Sequence, residues 1–483
     1  MQYDNDAKQL KYQVLTKVAQ FAYEGTLEDN LENIPYDMIP GPLPTFRCCV
    51  YREREIIRER LTSARGKNLP GQNDGDIVAV LPAACEGCPI NRFNVTDNCQ
   101  HCLAKKCQSA CPFGAISITP KGAYIDPTLC KECGRCAAAC PYNAISDTMR
   151  PCIRACPVKA ITKDEYQRAA IDYSRCISCG ACTKNCPFGA ITDRSDIVNV
   201  IEEIKSGRPI FAAFAPAIEG HFGAANVGML KSAIRKLGFT GVFEVSLGAD
   251  ATTFHEAHEL KEAVEEERKM TTSCCPAFVE MITKHYPKLI PLISHTASPM
   301  TMIARYLREE NPGSKVVFIG PCIAKKVEIQ KVQESADYVM TFEELQAMFT
   351  AKKINVMDEA ENEQDGSRAG KGYAQSGGVF SAVESLLKEE NFDKPVSGVK
   401  CSGAAECKKA LALLNAGRLP EDIIEGMACE GGCVAGPGGV EELQKILKNR
   451  AKLINTADDR GIVENIQKLH DFSKIKMDTD SQE

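Results

Sequence analysis

Two stretches of the chain repeat one another. Residues 107–145 open with "CQSACPFGAI" and close with "CKECGRCAAACPYNAI", and residues 152–191 open with "CIRACPVKAI" and close with "CISCGACTKNCPFGAI". Both follow C-x3-C-P-x2-A-I, then I-D, then C-x2-C-x2-C-x3-C-P-x2-A-I, which is a tandem unit of about forty residues. No other feature restricts the fold as much, because each unit must gather its cysteines over a short length of chain. Of 25 cysteines, 16 fall between Cys85 and Cys186 and none between Cys186 and Cys274. In a reducing compartment that density argues for metal or iron–sulfur ligation and against a disulfide framework.

The run C-x2-C-x2-C-x3-C-P is the ligand pattern of bacterial ferredoxins. Three thiolates hold one 4Fe-4S cluster and the fourth, before proline, crosses to another. In each unit the crossing cysteine completes a set: Cys111 with Cys130, Cys133 and Cys136, and Cys156 with Cys176, Cys179 and Cys182. Cys140 joins Cys99, Cys102 and Cys107 of "CQHCLAKKC". Cys186 retains only Cys152 and takes Cys85 and Cys88 from "CEGC". A zinc or structural thiol site is the alternative for Cys85 and Cys88, and a wiring that joins the two full runs directly is the alternative for the whole. Residues 81–194 therefore read as duplicated, α+β ferredoxin-like 4Fe-4S domains that carry electrons.

Residues 1–80 read as a helical segment. "KYQVLTKVAQFAYE" and "REREIIRERL" have helical patterns on either side of the break "IPGPLPTF". Cys48 and Cys49 have no partner motif there and read as buried thiols. Beyond residue 195, apolar runs such as "RPIFAAFAPAI", "GVFEVSLGAD" and "KVVFIG" alternate with amphipathic segments, the pattern of an α/β domain with parallel sheet over 195–475. Residues 476–483 read as a polar tail. The net charge of −6 gives no electrostatic reason to expect nucleic acid or an anionic membrane as partner. The polar N-terminus has no apolar leader core, and the expected location is cytoplasmic.

Three later stretches carry cysteines of another kind: "TTSCCPAF" (271–278), "IGPCIAKKVE" (319–328) and "MACEGGC" (427–433). Thiolates from three distant segments, each beside a glycine or proline that lets backbone approach closely, suggest one buried metal site assembled in the tertiary structure. In this order the stretches resemble the signatures T-S-C-C-P, M-P-C-x2-K-x2-E and M-A-C-x-G-G-C of the catalytic domain of FeFe hydrogenases, and the resemblance covers about residues 195–470. It implies two lobes of mixed or parallel sheet, with helices, around a buried H-cluster. That cofactor is a 4Fe-4S cubane joined through one cysteine sulfur to a diiron centre bearing CO, cyanide and a bridging dithiolate amine. By the same resemblance Cys275, Cys322, Cys429 and Cys433 hold the cubane, and Cys433 bridges to the diiron centre. Cys274 carries protons. Lys325 donates to a cyanide, and Glu328 fixes that lysine. Glu256, Ser294 and Glu259 continue the proton path, while Ala215, Pro216, Pro299, Met427 and "SGGVF" (376–380) line the diiron pocket. The other reading of Glu256 and Glu259 is a solvated helix face, since "HEAHELKEAVEEER" is rich in charge; His255 and His258 share that face.

Several positions depart from the family pattern. Gly320 stands where methionine is usual, Phe278 and Phe380 replace tryptophan and methionine, Met300 replaces glutamine, and "CVAGPGG" replaces the usual ending of the third motif. Cys401 and Cys407 match no ligand position and read as ordinary thiols. The activity implied is reversible proton reduction and hydrogen oxidation. Electrons would pass through the ferredoxin-like clusters to or from ferredoxin or a similar redox protein, and maturation proteins would supply the diiron centre. A hydrogen sensor, or an iron–sulfur cluster assembly factor without turnover, is the alternative.

Overall fold

Strand Ile210–Phe214, sequence IFAAF, is buried at every residue, the pattern of a strand covered on both faces. In the computed structural model, which describes residues 3, 5–89, 91–359, 365–453 and 460–479, this strand lies inside a four-stranded sheet. Gly241–Glu244 and Lys315–Ile319 flank it, Tyr338–Met340 lies outside Lys315–Ile319, and every pairing is parallel. A second parallel sheet has Ile423–Met427 at its centre, between Met270–Thr271 and Gly398–Ser402. Helices pack on both sheets. The signature motifs all begin where strands end: Cys274 and Cys275 follow Met270–Thr271, Cys322 follows Lys315–Ile319, and Cys429 follows Ile423–Met427. Carboxyl ends of parallel strands are where open α/β sheets form their ligand sites. One expectation changes in detail. "GVFEVSLGAD" is strand only to Glu244, and the long helix Val245–Glu265 begins at the next residue.

The cysteine-rich region consists of two-stranded antiparallel pairs, and their connectivity is nested. Phe93–Val95 pairs with Ile145–Asp147, and Ile116–Thr119 with Gly122–Ile125, which completes one unit. The other unit pairs Ile161–Lys163 with Ala169–Ile171, and Ile191–Asp193 with Val78–Val80. The chain thus starts the second unit at Val78, leaves it to build the first, and returns near Pro151. Each C-P-x2-A turn is built alike. The residue before the alanine is left-handed (Gly114 φ 62°, Asn143 50°, Lys159 53°, Gly189 56°), and this turns the alanine amide back toward the cysteine. Ala144, Ala160 and Ala190 donate to the sulfurs of Cys140, Cys156 and Cys186 at 3.4, 3.2 and 3.2 Å. Hydrogen bonds of this kind to cluster sulfurs tune reduction potential.

The N-terminal helix Asp6–Glu24 starts at an Asn5 cap and ends at left-handed Gly25. It packs on helices Ile197–Lys205 and Phe342–Ala351. A buried ionic network joins the three regions. Lys326 donates to Asp193 at 2.9 Å and to Glu344 at 3.2 Å, and Lys11 reaches Asp193 at 2.8 Å and Glu343 at 2.6 Å. Burial alone would raise the Asp193 carboxyl, but Lys11 and Lys326 hold it well below the usual range.

Cys48 and Cys49 are exposed, not buried. They close the loop before helix Val50–Ala64, whose buried face is Glu53, Ile56, Ile57, Arg60 and Leu61. Buried Glu53 accepts the amides of Thr45, Phe46 and Arg47, so the loop is held by its backbone and the thiols face outward. The C-terminal segment expected as a tail is docked over its described part: the Ala297 amide donates to the Met477 carbonyl and the Thr479 amide to the His295 carbonyl. Residues 480–483 lie outside the described residues. Among the described residues no helix is long and apolar enough to cross a membrane.

Candidate metal centre and proton path

The carboxyl ends of the two parallel sheets meet at a cavity of about 70 Å³. Its walls are mainly apolar and include Ala215, Pro216, Pro299, Met300, Phe318 and Met427; the thiols of Cys274, Cys275 and Cys433, the Lys325 ammonium and Tyr373 add the polar groups. Cys322 and Cys429 belong to the same cluster of thiols. Burial, then Cys322, Cys433 and Cys275, pushes the Cys429 thiol up, and burial, then Cys275 and Cys322, does the same to Cys433. Burial, followed by Cys275, raises Cys322 to about 11. All four cysteines keep partial surface exposure, although burial dominates the acidity of Cys322, Cys429 and Cys433; the surface that Cys275 and Cys433 expose borders the internal cavity. Among the described residues no group of three or more Cys, His, Asp or Glu closes around a single-ion site. Four mutually opposing buried thiols suit a larger multinuclear group, which binds them as thiolates and offsets their charge.

Lys325 reaches the cavity from helix Lys325–Lys331. Its ammonium donates to Glu328 at 2.5 Å and to Ser298 at 2.9 Å, and Ser298 in turn donates to Glu328. Burial would depress this lysine, but Glu328, Cys322 and Cys274 outweigh it and raise its pKa. The ammonium is thus a fixed positive charge at the cavity wall, suited to an anionic ligand.

The expected proton path lies on the other side of Cys274. Glu256 is fully buried in helix Val245–Glu265 and its carboxyl oxygens have no hydrogen-bond partner; the Ser273 amide and the Ser294 hydroxyl face it without closing a bond. Burial first, then the charge of Glu259, pushes the Glu256 carboxyl up to about 8. One turn on, Glu259 accepts from the Ser294 hydroxyl at 2.6 Å and the Thr296 hydroxyl at 3.1 Å, and it lies 3.4 Å from exposed His295. His255 bonds Thr296 and His258 bonds the Phe254 carbonyl, so both imidazoles have local partners. Burial and Glu256 push the Cys274 thiol well up, which keeps its proton on sulfur.

Three of the departures from the family pattern, at Gly320, at Phe278 and at the end of the third motif, have local explanations. A Cβ on Gly320 would lie 2.5 Å from the Phe318 ring, so the missing side chain makes room for an aromatic ring in the cavity wall. Phe278 is packed so closely on Gly426 that a Cβ there would lie 2.2 Å from its ring. "SGGVF" does not form the wall. The Gly377 and Phe380 amides donate to buried Glu425 at 2.7 and 2.8 Å, and Tyr373 and Ala374 take the lining role. The altered end of the third motif is clamped by His221, a residue without any sequence signal. Its Nε2 donates to the Val434 carbonyl at 3.1 Å and its Nδ1 accepts the Val440 amide at 3.3 Å. Burial depresses this imidazole to about 3, so it stays neutral and can do both. Cys401 and Cys407 are buried, and Cys407 donates to the Met427 carbonyl at 3.5 Å. Ser298, Tyr373 and His221 were not singled out by any motif; each acts through tertiary contacts.

In the cysteine-rich region two groups of thiols each line a cavity of their own. Cys111, Cys130, Cys133 and Cys136 line one small cavity, and Cys156, Cys176, Cys179 and Cys182 another. Cys107 senses the charges of Cys102 and Cys140, and Cys99 lies within the same loop region. Burial, then Cys186, Cys85 and Cys88, raises Cys152 to about 11, which puts the borrowed pair beside the second unit. The set around Cys179 adjoins the central site, because Cys275 acts on Cys179 and Cys179 on Cys429. Gly180, at φ 73°, sits where a Cβ would lie 2.5 Å from Pro437 of the third motif.

Two family models match this chain. Residues 208–437 match the family described as iron only hydrogenase large subunit, C-terminal domain. Residues 98–144 and 150–190 match the 4Fe-4S dicluster domain. Iron hydrogenase 1 of Clostridium pasteurianum is 30% identical over 52% of this chain, and the matched span is 54% of that protein, about half its length. The periplasmic Fe hydrogenase large subunit of Nitratidesulfovibrio vulgaris is 28% identical over 51% of this chain and 72% of its own. A subunit of an NADP-reducing hydrogenase from Solidesulfovibrio fructosivorans is 25% identical over 76% and 67%. A solved FeFe-hydrogenase from Chlamydomonas reinhardtii aligns with a TM-score of 0.47 at 24% identity, covering 56% of this chain and 92% of that one. With its dicluster segments in front of a matched C-terminal domain, the chain belongs to the FeFe (iron-only) hydrogenase family.

Proposed function

We propose that this chain is a hydrogenase that interconverts protons and electrons with molecular hydrogen. The observation that carries the reading is the set of polar groups in the cavity. A fixed ammonium, Lys325, and a protonated thiol, Cys274, which leads to the buried Glu256 carboxyl, both line one cavity whose walls are otherwise mainly apolar. Cys275, Cys322, Cys429 and Cys433 are the residues that would hold a cubane, with Cys433, on the cavity wall, as the bridge to a diiron centre. When bound, that H-cluster supplies the redox chemistry at which hydrogen is made or split.

The chain's own residues have three tasks. Lys325, held by Ser298 and Glu328, orients an anionic ligand. Cys274 passes protons at the cavity to Glu256, whose raised pKa near 8 suits proton exchange near neutral pH. Ser294 and Glu259 carry the path on toward the surface at His295. On the electron side, the sets at Cys156–Cys182 and at Cys85, Cys88, Cys152 and Cys186 would lead away from the cavity, and the first unit would add two more, to or from ferredoxin or a similar redox protein.

An assembly factor has little use for the fixed Lys325 or for the Cys274–Glu256 pair, and this favours turnover over that alternative. The test is hydrogen evolution by matured protein given reduced ferredoxin. Evolution that depends on Cys274, with normal iron content in Cys274→Ala, supports the reading; full activity in that variant contradicts the proton path. Sustained evolution also separates an enzyme from a sensor that turns over only slowly.

A further inference from the structure

Tyr373 is buried, lines the cavity, and packs in one apolar cluster with Cys274, Ala249 and Met427. Its hydroxyl lies 3.2 Å from the Thr253 hydroxyl. Thr253 also lies 2.8 Å from the Ala249 carbonyl, and a hydroxyl has one proton to give. Two arrangements of the pair are therefore possible. In one, Thr253 donates to Ala249 and Tyr373 donates to Thr253. In the other, Thr253 donates to Tyr373 and frees the phenol proton for a third group. That third group is close at hand: Glu256 lies three residues after Thr253 on the same helix, a spacing that puts the two on one face with their Cβ atoms about 5–6 Å apart. Glu256 is also a fully buried carboxyl with neither oxygen hydrogen-bonded, and buried polar groups of this kind are ordinarily satisfied, often through a water.

We propose that Tyr373, with Thr253, is a second proton carrier between the cavity and Glu256, parallel to Cys274 and linked to Glu256 through one bridging water. The proposal rests on the hydrogenase reading and deepens it. In each passage the phenol oxygen takes a proton from the cavity side as its own proton leaves toward the Glu256 carboxylate. Tyr373 is left neutral, and Glu256 becomes the acid. The return of the Thr253 proton to Ala249 resets the pair. Burial, then Glu256 and Cys274, pushes the phenol pKa well up, which disfavours a free phenolate and fits a concerted hand-over.

Tyr373→Phe keeps the ring and removes only the hydroxyl. The first readout is the infrared carbonyl band of protonated Glu256 in metal-free protein, assigned by its disappearance in Glu256→Gln. It should shift to higher frequency in Tyr373→Phe, and in Thr253→Val, as a hydrogen-bonded carboxyl becomes a free one. The second is matured Cys274→Ala protein, in which the Tyr373 route carries what remains: adding Tyr373→Phe should lower its residual kcat for hydrogen evolution about tenfold further while KM for the electron donor stays unchanged. A band that does not move overturns the link to Glu256, whatever the activity. A band that moves with that residual kcat unchanged overturns the carrier role. If matured wild-type protein evolves no hydrogen, the hydrogenase reading fails by itself, and the infrared result still decides whether Tyr373 and Glu256 are joined.

Discussion

A carboxyl group with no exposed surface and no hydrogen bond, as at Glu256, keeps its proton to a higher pH than an ordinary glutamate. Its folded pKa of about 8 lies above the ~4.3 of an unfolded chain. The stabilisation of the protonated form is therefore complete below about pH 4 and is lost as pH rises through about 8. Metal-free protein should lose thermal stability over that interval, and Glu256→Gln should flatten the loss; a wild-type curve that rises instead would contradict the burial argument. Cys274→Ala tests the next residue on the path. Hydrogen evolution should drop by ~10²–10⁴-fold with iron content unchanged, and a variant that retains wild-type rates would exclude the thiol from proton transfer. Cysteines that bind iron are legible in a sequence because ligation admits few residue types at few spacings. Ser298, His221 and Tyr373 were not legible, because a serine between a lysine and a glutamate, or a histidine between two backbone groups, has no local pattern.

At the scale of elements, strand ends and turns bring distant motifs to one place. The loop that carries Cys433 is fixed from outside by His221 and by contact with Gly180. His221→Ala would leave the Val434 carbonyl and the Val440 amide buried and unpaired, at about 1–3 kcal/mol each. Chemical denaturation of the metal-free variant should show that loss, and an unchanged midpoint would contradict the clamp. The parallel strands were readable from apolar runs such as IFAAF, yet the junction at Glu244–Val245 was not. The run stays apolar as it passes from strand to helix, since both are buried. The nested connectivity of the two cluster units appeared in the sequence only as a deficit: the second repeat lacks two cysteines that a strand and turn some sixty residues earlier supply. Pairing of Val78–Val80 with Ile191–Asp193 gives the physical reason, because it carries Cys85 and Cys88 to Cys152 and Cys186.

In the whole molecule, the N-terminal helix, the cluster units and the sheet domain are joined by buried charge as well as by apolar packing. Lys326 and its partners Asp193 and Glu344 are each about 2% exposed at the side chain, so removal of the cation leaves Glu344 buried without its ammonium and Asp193 with Lys11 alone. Lys326→Ala should cost about 3–5 kcal/mol, seen as a lower denaturation midpoint; a change within error would mean the network is solvated. The depressed Asp193 carboxyl adds a pH-dependent part to this stability. Its contribution is present above the unfolded pKa of ~3.9 and is lost as pH falls through the lower folded value.

The family assignment fixes the architecture, while the activity depends on whether the cavity receives a diiron centre. Infrared spectroscopy of anaerobically matured protein tests this most directly. Bands from CO and cyanide that appear on maturation, and that are altered in Lys325→Ala, are the expected result; a matured protein with intact 4Fe-4S signals and no such bands would contradict a hydrogenase.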